Sequence, residues 1–301
     1  MGIARRRLLA WPWELRRCGV MGVNRRNVQY IFSLNARRLY RLVDDKIITK
    51  SLCTELGAPV PETYAVIDRF GAFKALSAII AERQEFVVKP ARGSGGRGIV
   101  IIVGRDGEMF RTANGETISF DDLRYHISTT LFGLYSIGGQ CDRVLVEQRI
   151  VPHAVFENLA VGGTPDTRII VLCGKPVMAM LRLPTKASRG CANLHQGAAA
   201  AGIDLDTGMT FGGVCRNRAT TVHPDTGTAI EGVAIPYWRK MLEIAGCVSR
   251  AIKMGYLGVD IVLDVNHGPV LLEVNARPGL SIQIANRCGL LPRLENAGSK
   301  W

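Results

Sequence analysis

The chain has 301 residues, 47% of them hydrophobic and 21% charged, with a formal net charge of +12. This is enough apolar chain for a large core in one elaborate domain or two closely packed ones, and no apolar run approaches the ~20 residues that cross a bilayer. The N-terminus lacks the apolar segment and small-residue cleavage site of a secretory signal, and the eight cysteines are scattered without a C-x-x-C pair, so a cytoplasmic protein with reduced thiols is expected.

The charge is concentrated at one end. Residues 1–43 hold ten Arg, no Lys and a single acid, Glu14, which gives +9 and leaves +3 for the other 258 residues. Arg5-Arg6-Arg7, Arg16-Arg17, Arg25-Arg26 and Arg37-Arg38 alternate with Trp11, Trp13, Tyr30, Phe32 and Tyr40. Such a basic arm suits an anionic membrane surface at the inner face of a membrane, or an acidic partner. No nucleic-acid motif accompanies it, so specific nucleic-acid binding is not expected. The simpler alternative is a solvated basic face whose aromatic residues pack on the next domain.

Asp44-Asp45 followed by an amphipathic stretch from Lys46 that stops at Gly57 and Pro59 predicts an N-capped helix. A second helix is predicted at about 70–83, a strand at 86–89, a loop through Gly98 and a strand at 99–103. Gly93, Gly95 and Gly98 satisfy G-x-G-x-x-G, yet a dinucleotide-binding turn must lead into a helix, whereas this loop leads into a β-branched run. A Walker loop is excluded too, because Gly-Lys-Ser/Thr is missing. What remains is a glycine hairpin (Gly93, Ser94, Gly95, Gly96, Gly98) whose backbone N–H groups can close over phosphates. Lys89 ends an apolar strand just before the loop and would be buried without a partner unless an anion were near; Lys46 supplies a second cation.

Residues 143–150 form an apolar strand that breaks into polar positions at Glu147, Gln148, Arg149 and Ile150, where backbone groups could bond a flat heterocycle. A β-hairpin is predicted over 166–182 with Asp166 and Arg168 on one face. The donor-rich stretch 189–197, with Arg189, Asn193 and His195, and Arg182 before it, could neutralise a carboxylate or acyl phosphate, or else cap loops or pair with acids.

Gly258-Val-Asp-Ile-Val-Leu-Asp-Val-Asn-His-Gly-Pro-Val-Leu-Leu-Glu-Val-Asn-Ala-Arg-Pro-Gly279 reads as two β-branched strands around the turn 266–269. With Val265 opposite Val270, Asp260 falls opposite Asn275 and Glu273 lies one step away on the same face. Three oxygen-bearing side chains grouped this closely suit a hard cation such as Mg²⁺.

In order along the chain, Asp45-Lys46 with its helix ending Gly57-Ala-Pro-Val-Pro61, Val88-Lys89 with the glycine loop, Val146-Glu147-Gln148, Asn193-Leu-His-Gln-Gly197, Gly258-Val-Asp260 and Leu272-Glu-Val-Asn-Ala-Arg-Pro-Gly279 resemble the ATP-grasp carboxylate-amine ligases. Within that superfamily the chain looks most like the ligases that add glutamate to a ribosomal protein, through Asn193-Leu-His and the closing Glu-Val-Asn-Ala-x-Pro-Gly run. The resemblance spans about Asp44 to Leu294. It implies an α+β, ATP-grasp fold whose two α+β subdomains (44–149 and 150–294) clamp ATP, followed by a tail at 295–301.

It also implies roles. Lys46 and Lys89 would hold phosphates, Glu147 and its neighbours adenine, Asp166 the ribose, and Asp260, Glu273 and Asn275 Mg²⁺, with two ions expected and Mn²⁺ acceptable. Arg168 would stabilise an acyl phosphate, and Arg189, Asn193 and Arg277 would hold substrate. The implied partners are ATP, a carboxylate substrate and an amine acceptor such as a peptide or protein end; homo-oligomerisation is compatible with this. These ligases usually carry a full α/β domain ahead of the ATP-binding part, and the basic arm at 1–43 stands in its place. Two alternatives stay open at this point: a phosphotransferase using the same cradle, and a non-catalytic nucleotide-binding adaptor recruited by its arm.

Overall fold

The structure, a computed structural model, describes residues 10–93, 95–136 and 138–298. Arg5–Arg7 and Ser94, singled out above, lie outside the described residues. Two antiparallel sheets carry the chain. The first has β1 (Thr63–Ile67), β2 (Phe86–Pro90), β3 (Val100–Asp106), β4 (Met109–Thr112), β5 (Thr117–Ile118) and β6 (Val144–Glu147), in the order β1-β6-β2-β3-β4-β5. The second has β7 (Asp166–Leu172), β8 (Lys175–Leu183), β9 (Ala199–Ile203), β10 (Thr210–Cys215), β11 (Arg218–Ala219), β12 (Tyr256–Asp264) and β13 (Gly268–Asn275), in the order β11-β10-β9-β8-β7-β12-β13.

Strand alternation decides what each face of the first sheet carries. Phe86 and Val88 of β2 and Val144 and Val146 of β6 point into a core with Leu76 and Ile80 of the helix Phe73–Ala81 and Leu123 and Ile127 of the helix Phe120–Leu131. The intervening residues, Lys89 and Glu147, therefore take the opposite face. There Lys89 pairs with Glu147, and the helix Lys46–Glu55 adds Lys50 to the same carboxylate.

The second sheet is covered on both faces, so β12 is buried along its whole length, as its near-continuous apolar run requires. One face packs on the helix Trp238–Ile252, whose Met241, Ala245, Val248 and Ile252 recur at three- and four-residue spacing. The other packs on Met21 and Ile31 of the N-terminal segment and on Ile282, Leu291 and Leu294 near the C-terminus. Residues of the basic arm thus enter the core. Asn35 is fixed there, donating to the carbonyls of Tyr256 and Ala276 at 2.7 and 3.1 Å and accepting from the Tyr256 N–H at 3.0 Å.

The chain leaving β6 ties the two sheets together. His153 N–H donates to the Leu263 carbonyl at 2.9 Å, and Val265 N–H donates to Val151 at 2.8 Å. Among the described residues no helix is long and apolar enough to cross a membrane.

Candidate active site

Asp45 organises the base of the site. As N-cap of the helix Lys46–Glu55 it accepts from the Ile47 N–H at 3.0 Å, and its other oxygen takes Arg143 at 2.6 Å and Arg92 at 3.3 Å. The Lys46 N–H donates to the Ala91 carbonyl at 3.1 Å, so the helix start is bonded to the root of the glycine loop. Lys46 Nζ donates to the Gly93 carbonyl at 2.6 Å. Burial pushes this ammonium's pKa down, the attraction of Glu273 opposes that, and Lys89 adds to it. A crowded cation of this kind is stabilised by any anion that arrives.

One helical turn on, Lys50 is buried, a residue that sequence reasoning passed over. Its ammonium donates to Glu147 at 2.6 Å, and Lys89 pairs with the other oxygen of the same carboxylate. Burial alone would raise the Glu147 pKa, but Lys89 and Lys50 together outweigh it and hold the group ionised below the usual carboxylate range. The Glu147 side chain is therefore the strut between two lysines. Of the neighbours assigned to a heterocycle, Gln148 N–H is committed to the Glu62 carbonyl at 2.9 Å and Arg149 to Glu85 at 2.7 Å.

The second sheet contributes a buried ionic network. Arg168 on β7 grips Asp260 on β12 with two parallel bonds of 2.8 and 2.6 Å, and Arg182 on β8 reaches the same carboxylate at 2.9 Å. Arg182 also holds both oxygens of Asp166. Burial drives Asp166 up, while at Asp260 the two arginines overcome burial and drive the pKa down. The ribose assigned to Asp166 would thus meet a buried carboxylate already held by Arg182.

The hairpin corrects one expected register. Asp264 pairs with Gly268 across a three-residue turn, and a bulge between Asp260 and Ile261 sets Asp260 opposite Glu273, with Asn275 opposite Gly258. Asp264 stabilises the tight turn, its carboxylate accepting from the N–H groups of Asn266 and His267 at 2.9 and 3.0 Å. Asn275 still joins the cluster by donating to Asp260 at 3.2 Å. Glu273, paired with Asp260 in the ladder, is half-buried.

An all-oxygen set of Asp260, Glu273 and Asn275 matches the preference of Mg²⁺ or Mn²⁺. Among the described residues no group of three His, Cys, Asp or Glu gathers as a metal cluster. Two carboxylates and an amide suit a cation that also takes phosphate oxygens from its nucleotide, so these residues fit the group.

The glycine loop is held from above by the segment predicted to bind substrate. Gln196 donates to the Gly95 carbonyl at 3.2 Å, and a Cβ on Gly96 would sit 3.2 Å from Cys191 Sγ. Gly98 has φ +74°, and a Cβ there would lie 2.5 Å from the Tyr135 ring. Asn193 caps the turn Leu194–Gln196 by accepting from the His195 N–H at 3.0 Å. Arg189 is exposed in the same stretch, with φ +51°. Arg277 is exposed, stacked 4.3 Å over the Tyr40 ring and 3.9 Å from Asp44. A cavity of about 460 Å³ lined by Arg38, Leu39, Arg41 and Leu42 opens on the same N-terminal segment.

The model of the sugar-transfer associated ATP-grasp family matches residues 25–299. No curated protein matches by sequence. Among solved structures, the VanG D-Ala:D-Ser ligase from Enterococcus faecalis aligns over 87% of this chain and 62% of its own at 14% identity and a TM-score of 0.50, the D-cycloserine synthetase DcsG over 87% and 72% at 14% and 0.48, and the ATP-grasp ligase PsnB complexed with minimal precursor over 88% and 61% at 13% and 0.47. This chain therefore spans about three-fifths of the length of PsnB and of VanG. The two-sheet α+β architecture is the ATP-grasp fold, and the chain belongs to the sugar-transfer associated ATP-grasp family.

Proposed function

We propose that the protein is an ATP-dependent carboxylate-amine ligase that forms an amide bond through an acyl phosphate and releases ADP. The observation that carries this is the meeting of two differently charged half-sites. Lys46, Lys50 and Lys89 arise from one sheet and its helix, Asp260 and Glu273 from the other, and the Glu273 charge favours the charged form of Lys46 across the gap. One half suits phosphates and the other suits the cation that accompanies them.

A carboxylate is a poor electrophile, and phosphorylating it by attack on the γ-phosphorus makes it reactive toward an amine. Lys46 and Lys89 neutralise the phosphates, while Lys50 and Glu147 hold Lys89 in place. When bound, Mg²⁺ at Asp260, Glu273 and Asn275 supplies charge neutralisation at the transferring phosphoryl group; two ions are proposed. Arg168 positions Asp260 and is the guanidinium proposed to stabilise the acyl phosphate. The glycine loop 93–98 (including Ser94) excludes water from that intermediate, which would otherwise hydrolyse. Glu147 through Ile150 remain the proposed edge for adenine, with Asp166 fixed behind the metal carboxylate. Arg189, Asn193 and Arg277 are the proposed substrate contacts.

The amino acid proposed for transfer is one such as glutamate, and the acceptor is a peptide, protein or small amine. The family's link to sugar transfer adds sugar acids and amino sugars to the substrates worth offering. Incubating the purified protein with Mg-ATP and pools of amino acids, peptides, sugar acids and amino sugars, and following products by mass spectrometry, tests the reading. A new amide formed together with ADP is expected. A phosphorylated product without an amide would establish the phosphotransferase alternative, and nucleotide binding without turnover in any pool would establish the adaptor.

A further inference from the structure

The outer face of the N-terminal segment carries large apolar side chains where solvent should be. Trp11 and Trp13 are 53% and 54% exposed, their rings stacked with centroids 4.9 Å apart. Phe32 is 72% exposed, and Val28, four residues earlier, is exposed as well. The segment is not loosely attached, because its inner residues are fixed. Met21 is buried and exchanges hydrogen bonds with Gln283 at 2.7 and 3.0 Å, Ile31 is buried in the core of the second sheet, and Asn35 is bonded to Tyr256. The stretch from Met21 to Asn35 buries one side and leaves Phe32 on the other, and the helix Pro12–Arg17, which carries Trp13 next to its cap Trp11, buries none of its residues, so large apolar side chains are left in solvent.

Charge identifies the partner. Between residues 10 and 43 there are seven arginines and one acid, Glu14. Arg16, Arg17, Arg25, Arg37 and Arg38 are exposed, and of these only Arg25 meets an acid among the described residues, Glu295 at 3.3 Å. Tryptophan is the side chain that settles at the headgroup level of a bilayer, and guanidinium groups beside it are drawn to anionic lipid. A uniformly acidic protein face or a nucleic-acid duplex would meet the arginines without giving Trp11, Trp13, Val28 and Phe32 an apolar medium to enter, and no nucleic-acid motif accompanies them.

We infer that residues 11–38 form an interfacial docking surface for an anionic phospholipid bilayer, with Trp11, Trp13 and Phe32 entering the headgroup region and the flanking arginines facing acidic lipid. The inference does not depend on the ligase reading, because its probe is lipid alone and none of these side chains has been placed in the active site.

The test is sedimentation of the full-length protein with phosphatidylcholine vesicles with or without phosphatidylserine, at low and high salt, alongside tryptophan emission. Binding to the acidic vesicles is expected, with a blue shift from Trp11 and Trp13, and weakening by about tenfold or more in high salt or on removal of phosphatidylserine. Trp11→Ala with Trp13→Ala, and separately Phe32→Ala, should reduce vesicle binding by about tenfold while leaving the melting temperature and nucleotide binding unchanged. Absence of binding to acidic vesicles, or binding that these variants do not weaken, overturns the inference. Retention by RNA or an acidic polypeptide with none by vesicles would also overturn it, and would reassign the surface to polyanions.

Discussion

The Lys50 ammonium and the Glu147 carboxylate meet at 2.6 Å in the buried space between the helix Lys46–Glu55 and the first sheet, although they stand 97 positions apart in the chain. With Lys89 on the second oxygen, the carboxylate is the counter-ion of two buried cations. Glu147→Gln keeps the shape and leaves both ammonium groups without compensation. Removing one member of a buried ionic group costs about 3–5 kcal/mol, so chemical denaturation should show a loss of that order. A variant within about 0.5 kcal/mol of the parent would show that the group is structurally neutral, as surface pairs often are.

The same group dictates an acid limit. Its folded pKa lies below the unfolded value, so the stabilisation is complete above the unfolded carboxylate value of about 4.3 and disappears as pH falls through the folded one. Melting temperature measured from neutral to acid pH should hold level with respect to this group down to about pH 5 and fall below about pH 4. Glu147→Gln should flatten part of that acid slope. An identical slope in the variant would place the acid sensitivity elsewhere.

Much of this site was legible in local sequence. The Asp45 cap, the lysine that follows it, the glycine loop between two strands and the acidic hairpin each announce themselves within a few residues, and so does the ATP-grasp fold. Lys50 did not, because a helix lysine four residues after another is ordinarily solvated, and the partner that marks it lies on β6. For Arg182 the sequence leaves substrate binding and pairing with acids both open, and the structure shows the pairing, since Asp166 and Asp260 enclose it. The bulge at Asp260 was also hidden. Periodicity gives the face of each side chain, but the three-residue turn moves the pairing back by three positions and the bulge restores one, so Glu273 faces Asp260 where Asn275 was expected.

Lys46 presents the opposite balance to Glu147. Burial pushes its pKa down, meaning that the folded protein carries this charge at a cost. Lys46→Met keeps the length of the side chain and removes the cost together with the bond to the Gly93 carbonyl. The melting temperature should hold or rise, while affinity for ATP falls at least about tenfold, the scale of one phosphate contact from a partly desolvated cation. A large loss of stability with nucleotide affinity intact would mean that Lys46 is a structural residue.

Two glycines separate backbone strain from lid function. Gly98 and Gly107 both have positive φ, +74° and +59°, but a Cβ at Gly98 meets the Tyr135 ring whereas Gly107 has open space. Gly107→Ala should cost about 1 kcal/mol from backbone conformation alone and leave nucleotide kinetics unchanged. Gly98→Ala should cost more and raise the KM for ATP, because the loop proposed to cover the phosphates is displaced. Equal kinetic effects in the two variants would remove the lid from the account.

The most direct measurement incubates the protein with Mg-ATP, the pooled carboxylates and hydroxylamine, and identifies both the nucleotide product and the trapped acid. ADP and a hydroxamate should appear together, and both should vanish in Asp260→Asn, which removes a proposed metal carboxylate, and in Lys89→Ala, which removes one of the two cations proposed for the phosphates. AMP with pyrophosphate, or a hydroxamate that survives in both variants, would contradict an acyl phosphate formed between the two sheets.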